Sequence, residues 1–292
     1  MAGSAAELVE LLELEQIDLN LYRGSQPRRT TRQRVFGGQV AAQAVMAAQQ
    51  TVEDALVIHS LHSYFLRPGD HEVPIVYDVE RTRDGASFVT RRVLARQHGR
   101  PIFQLSCSFQ RPEDGMEHQD RQPDVIPPED AVPIADLVRQ RGQEAFEEWD
   151  REWSALDGRY IGTSAMGLPE DPDHPAKARL WVRIDGDLGD DRALQAAAFT
   201  YASDLTLLGA ALVPHGIGIY SSRLQPASLD HSIWFHRPFR ADEWWLYDQA
   251  SPFAGGARGM TTARVFTREG ELVATVAQEG LIRLRDGRAQ SS

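Results

Sequence analysis

The sequence predicts an α+β protein of two tandem domains, in each of which an antiparallel sheet wraps around one central helix. Three observations carry this reading. A strand-like stretch is written twice, as HSLHSYFLRP from His59 and as LDHSIWFHRP from Leu229. An alanine-rich helical segment precedes each copy. Long runs rich in Val, Phe, Tyr and Thr follow each copy, as strands do. A lone helix with a small-residue stripe, followed by several strands, reads as a sheet packed on that helix, and a repeat of this period reads as duplicated domains.

The correspondence extends beyond the shared strand. With Arg67 and Pro68 set on Arg237 and Pro238, Tyr77 and Asp78 fall on Tyr247 and Asp248, and Gly85 falls on Gly255. The last strand pair, HGRPIFQLSCSFQ from His98 and REGELVATVAQEG from Arg268, is displaced by one further residue.

Taken in order, MAGSAAELVELLELEQ interleaves Glu7, Glu10, Glu13 and Glu15 with leucines, which suits an amphipathic first helix and lacks the basic start and apolar block of a signal peptide. The first core helix is FGGQVAAQAVMAAQQ from Phe36, opened by two glycines. After its strands, RPEDGMEHQDRQPDVIPPEDAVP carries five prolines and many charges, the composition of a linker. IADLVRQRGQEAFEEWDREW then reads as one surface helix. The second core helix is RALQAAAFTYASDLTLLGAAL from Arg192, with Asp190 or Asp191 as N-cap. The expected division is 1–113, a linker and surface helix at 114–155, and 156–292.

Composition narrows the function classes. The 292 residues are 42% hydrophobic and 25% charged, without a long uninterrupted apolar run, which predicts a soluble protein that does not span a membrane. A net charge of -11 argues against general nucleic-acid binding, and with Lys177 the only lysine, any anionic ligand falls to arginines. One cysteine, Cys107 in an apolar run, excludes an internal disulfide and a cysteine-rich metal site; the nine histidines show no zinc spacing. The terminal AQSS is not a peroxisomal tripeptide, so a cytoplasmic location is expected.

Two polar residues stand out against this background. Leu194, Ala197, Ala198, Tyr201, Leu205, Leu208 and Leu212 form one helical stripe, and Asp204 lies within it. A carboxylate on a buried face must be paired, hydrogen-bonded or shifted in pKa. The first core helix has no acid between residues 36 and 50, so the fold does not require one there. Gln278 shares a strand face with Leu272, Ala274 and Val276, and its counterpart in the first copy is Cys107. Each by itself also fits a structural role, an Asp bonded to backbone or arginine and an amide satisfied within its strand. His59 and His62, which flank the first shared strand, are candidates for lining a cleft. GTSAMG at Gly162 is not a G-x-S-x-G nucleophile motif, because its second glycine is one residue late.

RVFGGQVAAQA, HSLHSYFLRPGD, YASDLTLLGAAL, LDHSIWFHRPFRADEWWLY and VATVAQEGLIR together resemble the acyl-CoA thioesterase II family, in order and over nearly the whole chain. The resemblance implies a double hotdog fold and hydrolysis of medium- to long-chain fatty acyl-CoA to fatty acid and coenzyme A. It also implies a homodimer or homotetramer. The family's catalytic Asp, Thr or Ser, and Gln fall on Asp204, Ser228 and Gln278, in the second domain. Strand phase sets Ser228 with Asp230 and Ser232, opposite Ile233 and Phe235, unless a bulge intervenes; the extra residue in the second copy makes room for one.

The implied mechanism has Asp204 take a proton from a water held by all three residues. Backbone N–H groups of Gly37 and Gly38, opening the first core helix, are the candidate oxyanion donors. Thiolate is a good leaving group, so no metal and no cofactor is expected, coenzyme A being part of the substrate. Two rivals differ in kind. A hotdog enoyl-CoA hydratase would pair its Asp with a His a few residues on, and none occurs before His215. A non-catalytic acyl-CoA-binding module would have no need of a buried acid in one copy.

Overall fold

The chain folds, in a computed structural model that describes residues 1–27, 30, 33–169, 171–172 and 174–285, with the helix-then-strands order repeated as expected. AQSS lies outside the described residues. The first half runs α1 (Ala5–Leu12), β1 (Glu15–Asp18), β2 (Leu21–Gly24), α2 (Gly37–Gln49), β3 (Val57–Phe65), β4 (Ile75–Asp84), β5 (Phe88–Gln97) and β6 (Arg100–Gln110). A connection leads through β7 (Val132–Pro133), α3 (Ile134–Arg139) and α4 (Gln143–Trp153). The second half is β8 (Leu156–Thr163), β9 (Lys177–Ile184), α5 (Arg192–Ser203), a 3₁₀ segment (Leu207–His215), β10 (Leu224–Ser228), β11 (Asp230–Phe235), β12 (Trp245–Gly255), β13 (Arg258–Thr267) and β14 (Leu272–Leu284).

The strands form one sheet in the order β1-β2-β4-β5-β6-β3-β11-β14-β13-β12-β9-β8-β7, with β10 also pairing on β14. The repeated stretch explains the join. β3 and β11 lie antiparallel with His62 opposite Ser232, residues that occupy the same place in the two copies. A local two-fold relation therefore passes through that pair, and each half completes the other's sheet.

Alternation decides which strand faces are buried. Val89, Arg91, Val93, Ala95 and Gln97 of β5 point inward, and so do Val276, Gln278 and Gly280 of β14. The two core helices fill the space inside. α2 is buried along most of its length, as its Ala and Val content permits, and α5 anchors Phe199 against Trp245, Phe235 and Phe239. Asp191 caps α5 by accepting from the N–H groups of Ala193 and Leu194, while Ser4 caps α1.

The N-terminus of α2 crosses the C-terminal turn of α5 at Gly38. A Cβ there would lie 2.4 Å from the Tyr201 carbonyl oxygen and 2.6 Å from the Phe36 ring. Gly38→Ala is therefore expected to destabilise the protein by about 1–3 kcal/mol through overpacking, read from urea unfolding midpoints. Wild-type stability in that variant would show that the two helices separate without cost.

Three expectations are corrected. The second core helix does not run on to Leu212: it stops at Ser203, with Asp204 as C-cap, and resumes as the 3₁₀ segment. The Leu205 N–H turns back to the Ala202 carbonyl, and Asp204 is drawn sideways by the contacts described below. The surface helix breaks into α3 and α4 at Gly142, whose φ of 116° suits glycine alone. The proline-rich linker is strapped across the second half: Trp181 Nε1 donates to the Ile126 carbonyl at 2.8 Å, and Arg264 meets Asp120 at 3.1 Å. Residues 192–215 are apolar and long enough to cross a membrane by composition, but they are mostly buried inside the sheet.

Candidate active site

Asp204, Ser228 and Gln278 come from three elements and meet at one carboxylate oxygen. Gln278 Nε2 donates to Asp204 Oδ1 at 2.6 Å and to Ser228 Oγ at 2.8 Å; Ser228 Oγ donates to the same Oδ1 at 3.0 Å. The Gly38 N–H, in the first turn of α2, lies toward the carboxylate and favours its anion. Asp204 is 9% exposed and Gln278 1%. Burial pushes the Asp204 carboxyl from 3.8 up to about 6, against the pull of the Gln278 amide, the Ser228 hydroxyl and the Gly38 N–H. At neutral pH the group is then mostly anionic and a stronger base than an ordinary aspartate.

Ser228 reaches this cluster because of a bulge. Ser228 pairs with Gly280, yet Ser232 pairs with Ala277, so four steps along one strand match three along the other. Leu229 donates to the Glu279 carbonyl at 2.9 Å, and Asp230 Oδ1 accepts the Glu279 N–H at 2.7 Å, taking a ladder position that a backbone carbonyl would otherwise fill. The phase reverses across the bulge, so Ser228 and His231 both face the interior.

The structure does not bring His59 and His62 to this cluster. Alternation in β3 sends Leu61, Ser63 and Phe65 inward, leaving His62 exposed on the outer face against Trp234 and Ser232. His59 sits where β3 bulges against β6, with its ring edge-on to Phe88. Of the two glycines, Gly38 turns its N–H toward the Asp204 carboxylate, whose pKa it lowers. Gly37 lines the site: a Cβ there would lie 2.7 Å from both Asp204 Oδ2 and the Phe65 ring.

His231 escaped the sequence reading. It is fully buried, with Nε2 2.8 Å from Ser203 Oγ, and burial lowers its pKa from 6.5 to about 4. Beside it, the Tyr247 hydroxyl donates to the Ser203 carbonyl at 2.9 Å. The signal that would have found it is the one that found Gln278, a polar residue in the second copy where the first has an apolar one, here Leu61.

Among the described residues, the first half has no such cluster. Leu61 pairs with Cys107, and burial pushes the Cys107 thiol up to about 12, leaving it inert. Arg91, also opposite Cys107 and 1% exposed, fills the adjoining space with bonds to the Thr51 hydroxyl and carbonyl, the Arg83 carbonyl and Asp84.

Known proteins resemble the chain throughout. The family described as acyl-CoA thioesterase N-terminal domain matches residues 26–110, and that described as acyl-CoA thioesterase matches 173–281. Acyl-CoA thioesterase 2 of Haemophilus influenzae is 39% identical over 287 residues, covering 98% of this chain and 100% of that protein. Acyl-coenzyme A thioesterase 8 of Mus musculus is 40% identical over 295 residues, covering 95% and 89%. Among solved structures, acyl-CoA thioesterase II TesB2 of Mycobacterium marinum superposes with a TM-score of 0.81 at 45% identity, covering 96% of this chain and 98% of that one.

Proposed function

Because this chain belongs to the acyl-CoA thioesterase II family, double-hotdog enzymes that hydrolyse acyl-CoA, we propose that Asp204, Ser228 and Gln278 are its catalytic set and that Asp204 activates water. The observation that supports this most is the convergence of a hydroxyl and an amide on one oxygen of a buried carboxylate, in one half of a duplicated fold. An entering water accepts from Ser228 or Gln278 and donates to Asp204. Its oxygen attacks the thioester carbonyl carbon as its proton passes to Asp204. The C–S bond then breaks, releasing the carboxylic acid and the coenzyme A thiolate, which takes the proton that Asp204 had accepted and so restores the carboxylate.

The developing oxyanion lies near the start of α2, where first-turn N–H groups and the helix dipole favour negative charge. The N–H groups of Gly37 and Gly38 are the candidate donors there. We further propose that the enzyme needs no cofactor and acts in the cytoplasm without nucleic-acid or membrane partners, and, from the family resemblance, that it forms a homodimer or homotetramer.

Medium- to long-chain substrates are proposed on the family resemblance, with the acyl chain entering between helix and strands. Each buried methylene contributes about 0.8 kcal/mol, roughly a fourfold gain in kcat/KM per methylene until the space is filled. Free-thiol release across a series of saturated acyl-CoAs is expected to show that rise and then a plateau; a flat response would remove the apolar site. Single-turnover hydrolysis in ¹⁸O-water tests the chemistry: label should enter the fatty acid alone. Label in the Asp204 carboxylate would instead mean direct attack through an anhydride.

A further inference from the structure

Among the described residues, four buried side-chain polar atoms have no hydrogen-bond partner, and two of them, His231 Nδ1 and Gln278 Oε1, belong to neighbours at this site. β11 and β14 pair with Ser232 opposite Ala277, and one step further in that register His231 faces Gln278. Both side chains are at least nine-tenths buried. Unpaired polar atoms in such a place are costly, so a pair of them side by side calls for an explanation.

The hydrogen-bond inventory supplies one. Gln278 spends both amide N–H groups on Asp204 and Ser228, so its carbonyl oxygen can only accept. Ser203 Oγ lies between the Thr200 carbonyl, at 3.0 Å, and His231 Nε2, at 2.8 Å, and its single proton goes to one of them. If it goes to Thr200, His231 carries its proton on Nε2 and turns an Nδ1 lone pair toward the Gln278 carbonyl. If it goes to His231, the ring carries its proton on Nδ1 and the two unpartnered atoms complement each other.

We propose that His231, held by Ser203 as the Nδ1–H tautomer, is a positioning residue that donates to the Gln278 carbonyl and so keeps the Gln278 amide protons on Asp204 and Ser228. The contact is open in the substrate-free arrangement and closes as the site tightens around substrate. A fixed amide matters most after proton transfer, when a neutral Asp204 no longer distinguishes the two ends of the Gln278 side chain. Turned over, Gln278 would present its carbonyl to the carboxylate and withdraw two donors.

The internal repeat points the same way. In the first half the corresponding pair is Leu61 opposite Cys107, so the imidazole and the amide are present together in one copy and absent together from the other. The Gln278 side chain favours protonation of His231, as an acceptor beside the ring does, while burial keeps the ring neutral at physiological pH. Among the described residues, the ionisable groups set against the cluster are Asp204 from α5 and Tyr247 from β12, while Asp230 and Glu279 interact with each other at the bulge and Glu279 turns outward to Arg258. Gly37 and Gly38 of α2, and Leu61, Ser63 and Phe65 of β3, do not titrate.

This inference rests on the catalytic reading of Asp204, and a cycle of variants separates the two. His231→Leu, the residue that the first copy uses, is expected to lower kcat about 10- to 100-fold with little change in KM. It should also move the acid limb of the kcat profile, which reports the substrate-bound enzyme, upward, because a turned amide disfavours the Asp204 anion. In a Gln278→Ala background the same change should alter kcat by less than about twofold, since nothing is left to position. His231→Asn, similar in shape to Leu but with a donor near the place of Nδ1, should restore most of the rate and the original acid limb. Should His231→Leu not fold, His231→Met is measured in the same way.

An equal loss with and without Gln278, an unmoved acid limb, or unchanged kcat in folded His231→Leu would each overturn the positioning role. Asp204→Asn with wild-type turnover would bring down the catalytic reading itself, whatever His231 does.

Discussion

Asp204→Asn is expected to lower kcat by about 10²- to 10⁴-fold in a protein that remains folded, the range that loss of a positioned general base commonly produces. Asparagine keeps the shape, and its carbonyl oxygen can still accept from Ser228 and Gln278 where Oδ1 now accepts at 3.0 and 2.6 Å. What it lacks is the capacity to take a proton. KM should change little, because asparagine keeps the shape of the side chain and its acceptor oxygen. The wild-type kcat/KM profile should fall on the acid side near pH 6, where the raised Asp204 carboxyl becomes protonated. Thiol release by wild type and variant across pH 3.5–8 checks both statements, and an acid limb near pH 4 would show that the carboxylate is solvated in the free enzyme.

The second large effect is on stability, where Asp204 and His231 act in opposite directions. Asp204 titrates near 3.8 in the unfolded chain and at about 6 when folded. Between those values the folded state holds a proton that the unfolded state has released, so stability falls as pH rises. His231 titrates near 6.5 unfolded and at about 4 folded, so the unfolded state holds the extra proton and stability falls as pH drops. Each change corresponds to roughly 3 kcal/mol, and in the wild type the two largely offset between pH 4 and 6.

Removing either group should expose the other. Asp204→Asn should grow more stable than wild type from pH 4 to 7, since it no longer buries a charge. His231→Leu should lose the acid-side decline and keep the decline toward neutral pH. Urea unfolding at pH 4, 5, 6 and 7 gives the three curves, and parallel curves would show that neither group is as desolvated in solution as the structure has it.

The residues most legible in the sequence were those that break a local pattern. Asp204 interrupts an apolar helical stripe and Gln278 an apolar strand face, each in one copy only, and both lie in the cluster. Ser228 was named by resemblance, while strand phase argued against it, because phase depends on the bulge built by the Leu229 backbone and the Asp230 side chain. His59 and His62 were prominent in a repeated motif, yet alternation turns His62 outward and a bulge sets His59 against Phe88. His231 stayed hidden because a histidine in a strand signals nothing until its counterpart, Leu61, is set beside it.

By itself the sequence determined the duplication, the helix-then-strands order of each half, the family and the two polar residues at the heart of the site. These depend on periodicity and on internal comparison, which are local properties of the chain. Only the tertiary structure decided that α5 stops at Asp204, that Gln278 and Ser228 converge on one oxygen of its carboxylate, and that Ser228 and His231 share the inner face. Those outcomes depend on which partner a polar group finds across residues as distant as Asp204 and Gln278. A buried carboxylate takes its hydrogen bonds wherever folding delivers donors, and that delivery is written in no single segment.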